Sequence, residues 1–562
     1  MKDYDVIIIG GGVAGGLPAA AYLQKAGARV LIVDALQELG HHVKTNEVWP
    51  GVLWTPCAAG SFIGNSPAMA DLDLENYGVN LKLSPRGTGI TFPNHKSLFI
   101  APYDIDGTCA DIARFSEKDA ERARGILERY VEKIIDFNDL CFYSIPTPEK
   151  QEKMIEMAAY VWGVDVESFR EMNAFELVET VFESDEVQQT FMCVAGVQTL
   201  GDIGEPCQGA FAAVAWIMVI PGQLVGGNHN LAHAYIRIFL EHGGTIFRNC
   251  PVEDIIVENG VAKGIKIHDD AVVNGGETIM AKNAVITNAG VPESFRMIGE
   301  ENLTKADPAL AQRMKYWDMA SRASFVSLWV LKEFPKWKSM QWNPNISKMD
   351  FFYKGWESIE HGKRWHMAQK SGDTYGALGG ICEAVMHQVT DETAASEEGY
   401  VSLRVEEVLP FYWRERGGGS GKADIEMWDE KRDEILEKQT DMFADLIENF
   451  RDLILEKYSI TPLDLWRGDR AGVAGNGVGG SYTGNQWMLE RMPYRMPIQN
   501  LYCCNGVWPI QLSWGAGGYN VACAVAEDMG IRDQSWWKAK PVEWTLQNLG
   551  RLLVEKNPYW VE

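Results

Sequence analysis

The chain has 562 residues, of which 46% are hydrophobic and 23% charged, so two or more domains with their own cores are expected. Its formal net charge of −25 argues against nucleic acid as a partner and against electrostatic attraction to anionic lipid. The ten cysteines form no CxxC motif, and no apolar run is long enough to span a membrane. A cytoplasmic protein without a metal site is therefore expected.

The N-terminal stretch DVIIIGGGVAGGLPAAAYLQKAGARVLIVD, residues 5–34, has the pattern of a strand–helix–strand unit. Val6–Ile9 is a run of branched apolar residues, typical of a strand buried on both faces. Ala14–Ala26 has helical spacing, Gly27 ends it, and Arg29–Val33 is a second strand. This pattern predicts a parallel βαβ unit at the start of the chain.

Three glycines, Gly10, Gly12 and Gly15, give this unit the motif GxGxxG. The first allows a tight turn, the second lets the backbone approach a pyrophosphate, and the third lets the helix pack on the strand. The pyrophosphate of a dinucleotide would lie at the helix N-terminus, where unpaired N–H groups favour an anion. Asp34 ends the second strand, where an acidic side chain commonly binds a ribose hydroxyl.

The next elements are predicted in chain order. A loop that carries His41-His42 is expected to cross the nucleotide, and a helical segment that includes 117–137 and 151–183 is inserted after it. Gly226-Gly227 then precedes a helix over 230–242 and strands over 245–248, 252–257 and 262–267. Asn259-Gly260 predicts a hairpin between the last two, and an apolar strand at 281–288 returns to the nucleotide domain.

The second half begins with an alternating strand at 325–334 and a long charged helical region at 423–458. A short buried strand at 501–504 and a loop at 505–518 precede a helix at 519–529. The sequence Gly515-Ala516-Gly517-Gly518 stands just before this helix, so a second helix N-terminus is expected to face the ligand.

Three matches to a known family come from these stretches. Asp34, Gly40 and Pro50-Gly51 keep the family's spacing of ribose acid, glycine turn and PG, and Gly226-Gly227 followed by Val252 is similar to its GGMGAL…V segment. The segments TPLDL (461–465), YRMPIQNLYCC (494–504) and 508–520 are similar to its closing flavin loop. The chain resembles the phytoene-desaturase-like FAD oxidoreductases of the flavin amine oxidase superfamily, in the branch of pyridine nucleotide-disulphide oxidoreductase domain proteins.

The resemblance implies FAD, not NAD, and an α/β fold. A Rossmann-type, glutathione-reductase-like FAD-binding domain would be assembled from residues 1–90, 215–300 and 460–535. An α+β substrate-binding domain would take 91–214 and 301–459, and 536–562 would form a C-terminal tail. The residues predicted to bind the cofactor are Gly10, Gly12, Val13, Ala14, Gly15, Asp34, Ala35, His42, Val252, Asn288, Gly506, Trp508, Gly515, Gly517, Gly518 and Tyr519.

Two departures from the family affect the expected flavin face: Ile510-Gln511-Leu512 replaces three glycines, and His41-His42 follows Gly40. The residues predicted to be catalytic are His41, His42, Tyr482 and Gln511. A histidine here either acts as an acid or base near neutral pH, holds the pyrophosphate, or is a loop residue satisfied by backbone. Trp508 and Trp514 either wall a substrate pocket or pack the loop.

The leading functional hypothesis is an FAD-dependent dehydrogenase or desaturase of a hydrophobic small molecule such as a terpenoid, carotenoid or alicyclic compound. Hydride would pass to flavin N5, and a quinone, oxygen or an electron-transfer protein would reoxidise the flavin. The alternatives are a flavin-dependent isomerase or hydratase without net redox, and a non-catalytic prenyl-lipid carrier. The Trp-rich tail is expected to pack on the body, with a second subunit or a peripheral membrane contact as alternatives.

Overall fold

The computed structural model describes residues 4–198, 201–217, 219–412, 426–468, 473–481, 486–509 and 515–561, without the side chains of 41, 193–198 and 216. In these ranges the strands are β1 (Tyr4–Ile9), β2 (Val30–Val33), β3 (Asn46–Trp49), β4 (Val52–Trp54), β5 (Leu81–Lys82), β6 (Thr88–Thr91), β7 (Ser97–Ile100), β8 (Gln223–Leu224), β9 (Thr245–Phe247), β10 (Val252–Glu258), β11 (Val261–Ile267), β12 (Thr278–Thr287), β13 (Ala323–Leu331), β14 (Phe351–Lys354), β15 (Cys382–Val385), β16 (Val401–Leu409), β17 (Ile454–Ile460) and β18 (Leu501–Cys503). The helices are α1 (Gly16–Lys25), α2 (Ala68–Asp71), α3 (Ile105–Ala113), α4 (Glu117–Cys141), α5 (Pro148–Trp162), α6 (Val166–Glu171), α7 (Ala174–Val181), α8 (Asp185–Gln198), α9 (Gln208–Ile217), α10 (His229–Glu241), α11 (Val291–Ile298), α12 (Glu300–Ala306), α13 (Pro308–Lys315), α14 (Ile359–Ser371), α15 (Thr374–Ala377), α16 (Met427–Leu446), α17 (Phe450–Leu453), α18 (Pro462–Gly468), α19 (Ala516–Asp528) and α20 (Glu543–Leu552).

The first sheet has the strand order β10-β11-β12-β1-β2-β9, with β18 beside β12. Strand β1 runs parallel to β2 on one side and to β12 on the other. Its residues Val6, Ile7 and Ile8 are completely buried, as expected for a central parallel strand. The predicted strand–helix–strand unit is confirmed, and β9 extends it by pairing in parallel with β2.

The predicted hairpin at Asn259-Gly260 is confirmed as well. Strands β10 and β11 pair antiparallel on either side of it, and both turn residues have positive φ, 52° at Asn259 and 76° at Gly260. Those angles suit the tight turns that match the twist of a hairpin. Strand β12 first pairs antiparallel with β11 and then runs parallel to β1, so it carries the chain back into the first sheet.

The second sheet has the order β17-β13-β16-β15-β14-β6-β7. Helix α16 covers one face, where the Trp329 indole donates to Thr440 Oγ1 (3.0 Å) and the Gln439 amide donates to the buried Glu407 carboxylate (2.8 Å). One predicted element is partly wrong: the helical region expected to reach residue 458 gives way to strand β17 at 454. This strand lies at the edge of the sheet, and its exposed charged residues have the composition of a helix surface.

The C-terminal segment packs on the body, as expected. The Trp537 side chain is fully buried, with its ring centroid 4.7 Å from that of Tyr22, and Trp536 stacks on it at 5.5 Å. The backbone N–H groups of Lys538 and Ala539 donate to Asp71 Oδ1 (3.1 and 2.9 Å). None of the helices given above combines the length and the apolar character needed to cross a bilayer. The division into domains predicted from the sequence stays a prediction.

Candidate functional site

A cavity of about 370 Å³ lies between the first sheet and one face of the second. One end is lined by residues that directly follow β1, β2 and β12. The other end is lined by side chains of β13, β15 and β16. Ligands of parallel α/β sheets bind outside the carboxyl ends of the strands, and this cavity occupies that position.

The glycine turn after β1 forms one wall. Gly10 has a φ of 94°, and Gly10, Gly12, Val13 and Ala14 all line the cavity. A Cβ on Gly15 would lie 2.1 Å from Asn288 Oδ1, and one on Gly16 would lie 1.9 Å from the Gly10 carbonyl oxygen. Only glycine fits these positions, so the backbone at the start of α1 stays close to the cavity. This is the cradle that a pyrophosphate needs.

Asp34 lies at the end of β2 and is almost fully buried. Its Oδ2 accepts a hydrogen bond from the Gly11 N–H (2.7 Å), and its Oδ1 accepts one from the Leu36 N–H (2.8 Å). These bonds fix the carboxylate against the glycine turn at the cavity wall, beside Ala35. The arrangement suits the predicted ribose contact, which stays a prediction.

Two further predicted residues border the cavity on either side of this turn. Asn288 follows β12, and its amide donates to the Gly10 carbonyl (3.3 Å) while its Oδ1 accepts from Cys504 Sγ (3.4 Å). Val252 begins β10 and lies beside Arg296, whose guanidinium donates to the Val252 and Glu253 carbonyls (3.2 and 2.8 Å). Both residues line the cavity, so the structure brings together the N-terminal and middle segments of the predicted site.

A buried ion cluster at the other end was missed by the sequence analysis. Arg404 on β16 is completely buried and donates to Glu383 Oε1 (3.0 Å), to the Cys57 carbonyl (2.6 Å) and to Glu406 Oε2. Burial lowers the pKa of Arg404, but the carboxylates of Glu406 and Glu383 outweigh that effect and hold it above its ordinary value. Glu383, Glu406 and Arg322 line the cavity.

One sequence signal indicated this cluster. Arg404 and Glu406 stand two positions apart within the apolar run VSLRVEEVL, so a strand places both side chains on the same face. The same face carries Val408, which also lines the cavity. The partner Glu383 comes from another strand, and nothing local in the sequence links it to Arg404.

His42 lines the cavity near Cys57, and its carbonyl accepts a hydrogen bond from the Ala58 N–H (2.8 Å). His41 begins a short 3₁₀ helix over 41–43, and its side chain is outside the described atoms. Tyr482, Gln511 and Trp514 lie outside the described residues. The catalytic roles predicted for these residues stay predictions.

The C-terminal candidates that the structure describes do not line this cavity, and their predicted contacts with the cofactor stay predictions. Trp508 is completely buried, and its indole donates to the Cys141 carbonyl (2.9 Å). Its predicted roles at the cofactor and at a substrate pocket stay predictions. Tyr519 contacts the rings of Tyr22 and Tyr143 (5.3 and 5.7 Å). The positions that do not line the cavity are Gly15, Gly506, Trp508, Gly515, Gly517, Gly518 and Tyr519.

The C-terminal glycines have a packing reason of their own. The Gly518 N–H donates to the Ala14 carbonyl (3.0 Å), and a Cβ on Gly518 would lie 2.3 Å from the Gly15 carbonyl oxygen. The start of α19 is therefore pressed against the start of α1. It supports the glycine turn from behind, without lining the cavity.

Arg491 organises the loops next to this region and was also missed. Its buried guanidinium donates to the carbonyls of Gly479, Ser481, Gln486, Gly506 and Val507 at 2.9–3.2 Å. It thereby joins the segment 477–481 to the segment 505–507. Gly477 and Val478 in the first segment and Asn505 in the second line the cavity.

The glycine cradle, the carboxylate at the end of β2 and the cavity beside them are the features of a dinucleotide-binding α/β protein. Residues 8–72 match the NAD(P)-binding Rossmann-like domain family. Along nearly its whole length the chain is similar to one of the subunits of limonene dehydrogenase from Castellaniella defragrans, with 23% identity over 96% of each chain. It is also similar to the rat pyridine nucleotide-disulfide oxidoreductase domain-containing protein 2, with 21% identity over 94% of each.

Solved structures give the same fold. An oxidoreductase from Methanosarcina mazei superposes with a TM-score of 0.57 and 16% identity, covering 93% of this chain and 99% of its own. The Rossmann-type α/β fold and the resemblance to FAD-dependent oxidoreductases predicted from the sequence are thus confirmed. The chain is an oxidoreductase of this type, and its site fits FAD.

Proposed function

We propose that the chain is a dehydrogenase or desaturase that removes two hydrogens from a hydrophobic small molecule of the terpenoid, carotenoid or alicyclic class. The single observation that carries this proposal is the cavity, because it is continuous from the glycine turn to the second sheet. The full-length relative named for limonene, a cyclic terpene, supports the substrate class.

The residues at each end take different parts in this proposal. The start of α1 and Asp34 hold the pyrophosphate and ribose of FAD, which supplies hydride acceptance when bound. At the far end, Phe62, Val408 and Val478 provide apolar surface that excludes water and holds the substrate. Arg404 ties the loop at Cys57 to the second sheet, so the two walls keep a fixed spacing.

The first test is the absorption spectrum of the purified protein before and after acid precipitation. Flavin released into the supernatant is the expected result, followed by bleaching when limonene or another cyclic terpene is added without oxygen. Bleached protein mixed with oxygen, a quinone or an electron-transfer protein then identifies the acceptor by the rate of reoxidation. Absence of flavin after addition of FAD would contradict the proposal and favour the carrier.

A non-redox isomerase or hydratase is the second candidate, because the Glu406 carboxylate borders the cavity where it can exchange a proton with a ligand. The same experiment separates the two: product formed without bleaching or an added acceptor selects the isomerase or hydratase. Homo-oligomerisation stays a prediction, tested by light scattering of the purified protein.

A further inference from the structure

The charged cluster on the second sheet stands out because the rest of that end of the cavity is largely apolar. Phe62, Val408, Val478 and Ala59 line the cavity, and Glu406 lines it too, with its side chain 15% exposed. Arg404 binds only one of its oxygens, Oε2. Within the described part of the chain, Glu406 Oε1 accepts no hydrogen bond.

Charges of both signs are present around the cavity. The carboxylates of Glu383 and Glu406 share the Arg404 guanidinium, and the Arg322 side chain also lines the cavity. These guanidinium groups offset the attraction of the two carboxylates for a cationic ligand. The acceptor that these ion pairs do not use is Oε1 of Glu406.

An apolar ligand that filled the cavity would remove water from this oxygen without donating a hydrogen bond to it. Burying an unsatisfied charged acceptor is costly. A hydroxyl group at the same place would donate a charge-assisted hydrogen bond to it, which is stronger than one between neutral groups. The position of Glu406 therefore discriminates between ligands of the same shape.

We infer that Glu406 forms a hydroxyl-recognition subsite, so that the ligand is an apolar cyclic or terpenoid molecule bearing a neutral hydrogen-bond donor at the end that reaches the second sheet. Arg404 is a positioning residue in this arrangement, since it holds Glu406 from one side and is held by Glu383 from the other. The inference rests on the proposed function and specifies its substrate class.

The test uses three ligands of one skeleton: p-menthane, menthol and menthylamine. Their dissociation constants are measured by titration calorimetry on the flavin-loaded protein, so no turnover is required. In the wild type menthol should bind at least ~10-fold more tightly than p-menthane and more tightly than menthylamine, since the hydrogen bond to a charged acceptor exceeds the cost of desolvating the hydroxyl.

Glu406→Gln should reduce the ratio of the menthol and p-menthane affinities to within about 3-fold, because a neutral acceptor makes the weaker bond. Glu406→Asp keeps the charge but shortens the side chain by one methylene, and should give an intermediate ratio. The matched control is Glu456→Gln, the same substitution on the exposed edge strand β17 of the same sheet, which should leave the wild-type ratio unchanged.

Three results would overturn the inference: equal binding of menthol and p-menthane by the wild type, tightest binding of menthylamine, or an unchanged ratio in both Glu406 variants. If Glu406→Gln fails to fold, the aspartate variant alone decides by the same ratio. Bleaching of the flavin by hydrocarbons with no preference for the alcohol would contradict the subsite and leave the dehydrogenase proposal standing. Preferential binding of the alcohol, with no bleaching of the flavin by any terpene, would support the subsite and contradict the dehydrogenase proposal.

Discussion

Arg404 and Glu383 form a completely buried ion pair, in which Nη1 of the guanidinium lies 3.0 Å from Oε1 of the carboxylate. The pair joins β16 to β15 on the cavity side of the second sheet. Arg404 also donates to the Cys57 carbonyl, so one side chain connects the sheet to the loop that lines the opposite wall. The spacing of the two cavity walls therefore depends on the Arg404 guanidinium, which is shielded from bulk water.

Replacing Arg404 by methionine should destabilise the fold by about 3–5 kcal/mol, because it removes the guanidinium that pairs with the buried Glu383 carboxylate. The measurement is the free energy of unfolding in urea. Adding Glu383→Gln to the same protein should recover at least half of the loss. Arg451→Met, on an exposed pair with Glu437, is the matched control and should change stability little. An equal loss in both single variants would contradict the interpretation.

Gly15→Ala should abolish flavin retention. Its methyl group would overlap Asn288 Oδ1 and displace the start of α1 from the cavity. Flavin content per chain is the readout, with circular dichroism to establish that the fold persists. Gly550→Ala, in α20 with nothing within 4 Å of the added methyl, should keep full flavin content. Normal flavin in Gly15→Ala would mean that the turn does not hold the cofactor.

Asp34→Asn should weaken FAD binding roughly 10- to 100-fold, the loss expected when a hydrogen bond to a charged acceptor becomes a neutral one. The amide NH₂ of the asparagine also faces the backbone N–H of Gly11 or Leu36, so one of the two present hydrogen bonds is lost. The dissociation constant is obtained by titrating FAD into protein stripped of flavin. Asp254→Asn, exposed on β10, should bind FAD like the wild type. Unchanged affinity in Asp34→Asn would remove the proposed ribose contact.

Asp350 predicts a pH dependence of stability. Burial raises the pKa of its carboxyl group to about 7, although a hydrogen bond from Thr390 (3.1 Å) acts in the opposite direction. Between the unfolded-state pKa and that value the folded chain holds a proton that the unfolded chain has lost, so this residue makes stability fall as pH rises. Asp350→Asn removes the effect.

The variant should therefore gain stability relative to the wild type between pH 5 and pH 8, by on the order of 3 kcal/mol. Urea unfolding at both pH values measures the change. Asp533→Asn, at a nearly fully exposed carboxylate, should show no such pH-dependent gain. A constant difference between Asp350→Asn and the wild type across this range would contradict the prediction.

Local patterns predicted the first sheet well. The run Val6–Ile9, the glycine turn and Asn259-Gly260 carry their structural information within a few residues, because turn geometry and strand burial are set by neighbours in sequence. The half of the site made by Gly10, Gly12, Asp34 and Asn288 could be predicted for that reason, since each residue lies at the end of a predicted strand or in the turn that follows it.

The other half depends on pairing across the second sheet. Arg404, Glu383 and Cys57 meet only because β16 pairs with β15 and crosses the loop after β4. A glycine motif also does not separate packing from ligand binding: Gly517 and Gly518 were predicted to bind the cofactor, and the structure shows that they pack closely against Cys504, Ala14 and Gly15. Their contact with the cofactor stays a prediction. Aromatic residues such as Trp508 were ambiguous in the same way, because the wall of an apolar pocket and a hydrophobic core both need large apolar side chains.

The contact between Gly518 and Ala14 has a consequence for synthesis on the ribosome. Strand β1 is translated hundreds of residues before its neighbour β12 and the supporting helix α19. The glycine turn therefore lacks these partners until α19 has been translated. Such long-range closure is intrinsically slow, and exposed strand edges in the meantime favour misassociation. Co-expression of chaperones and a slower rate of translation should therefore raise the yield of folded protein.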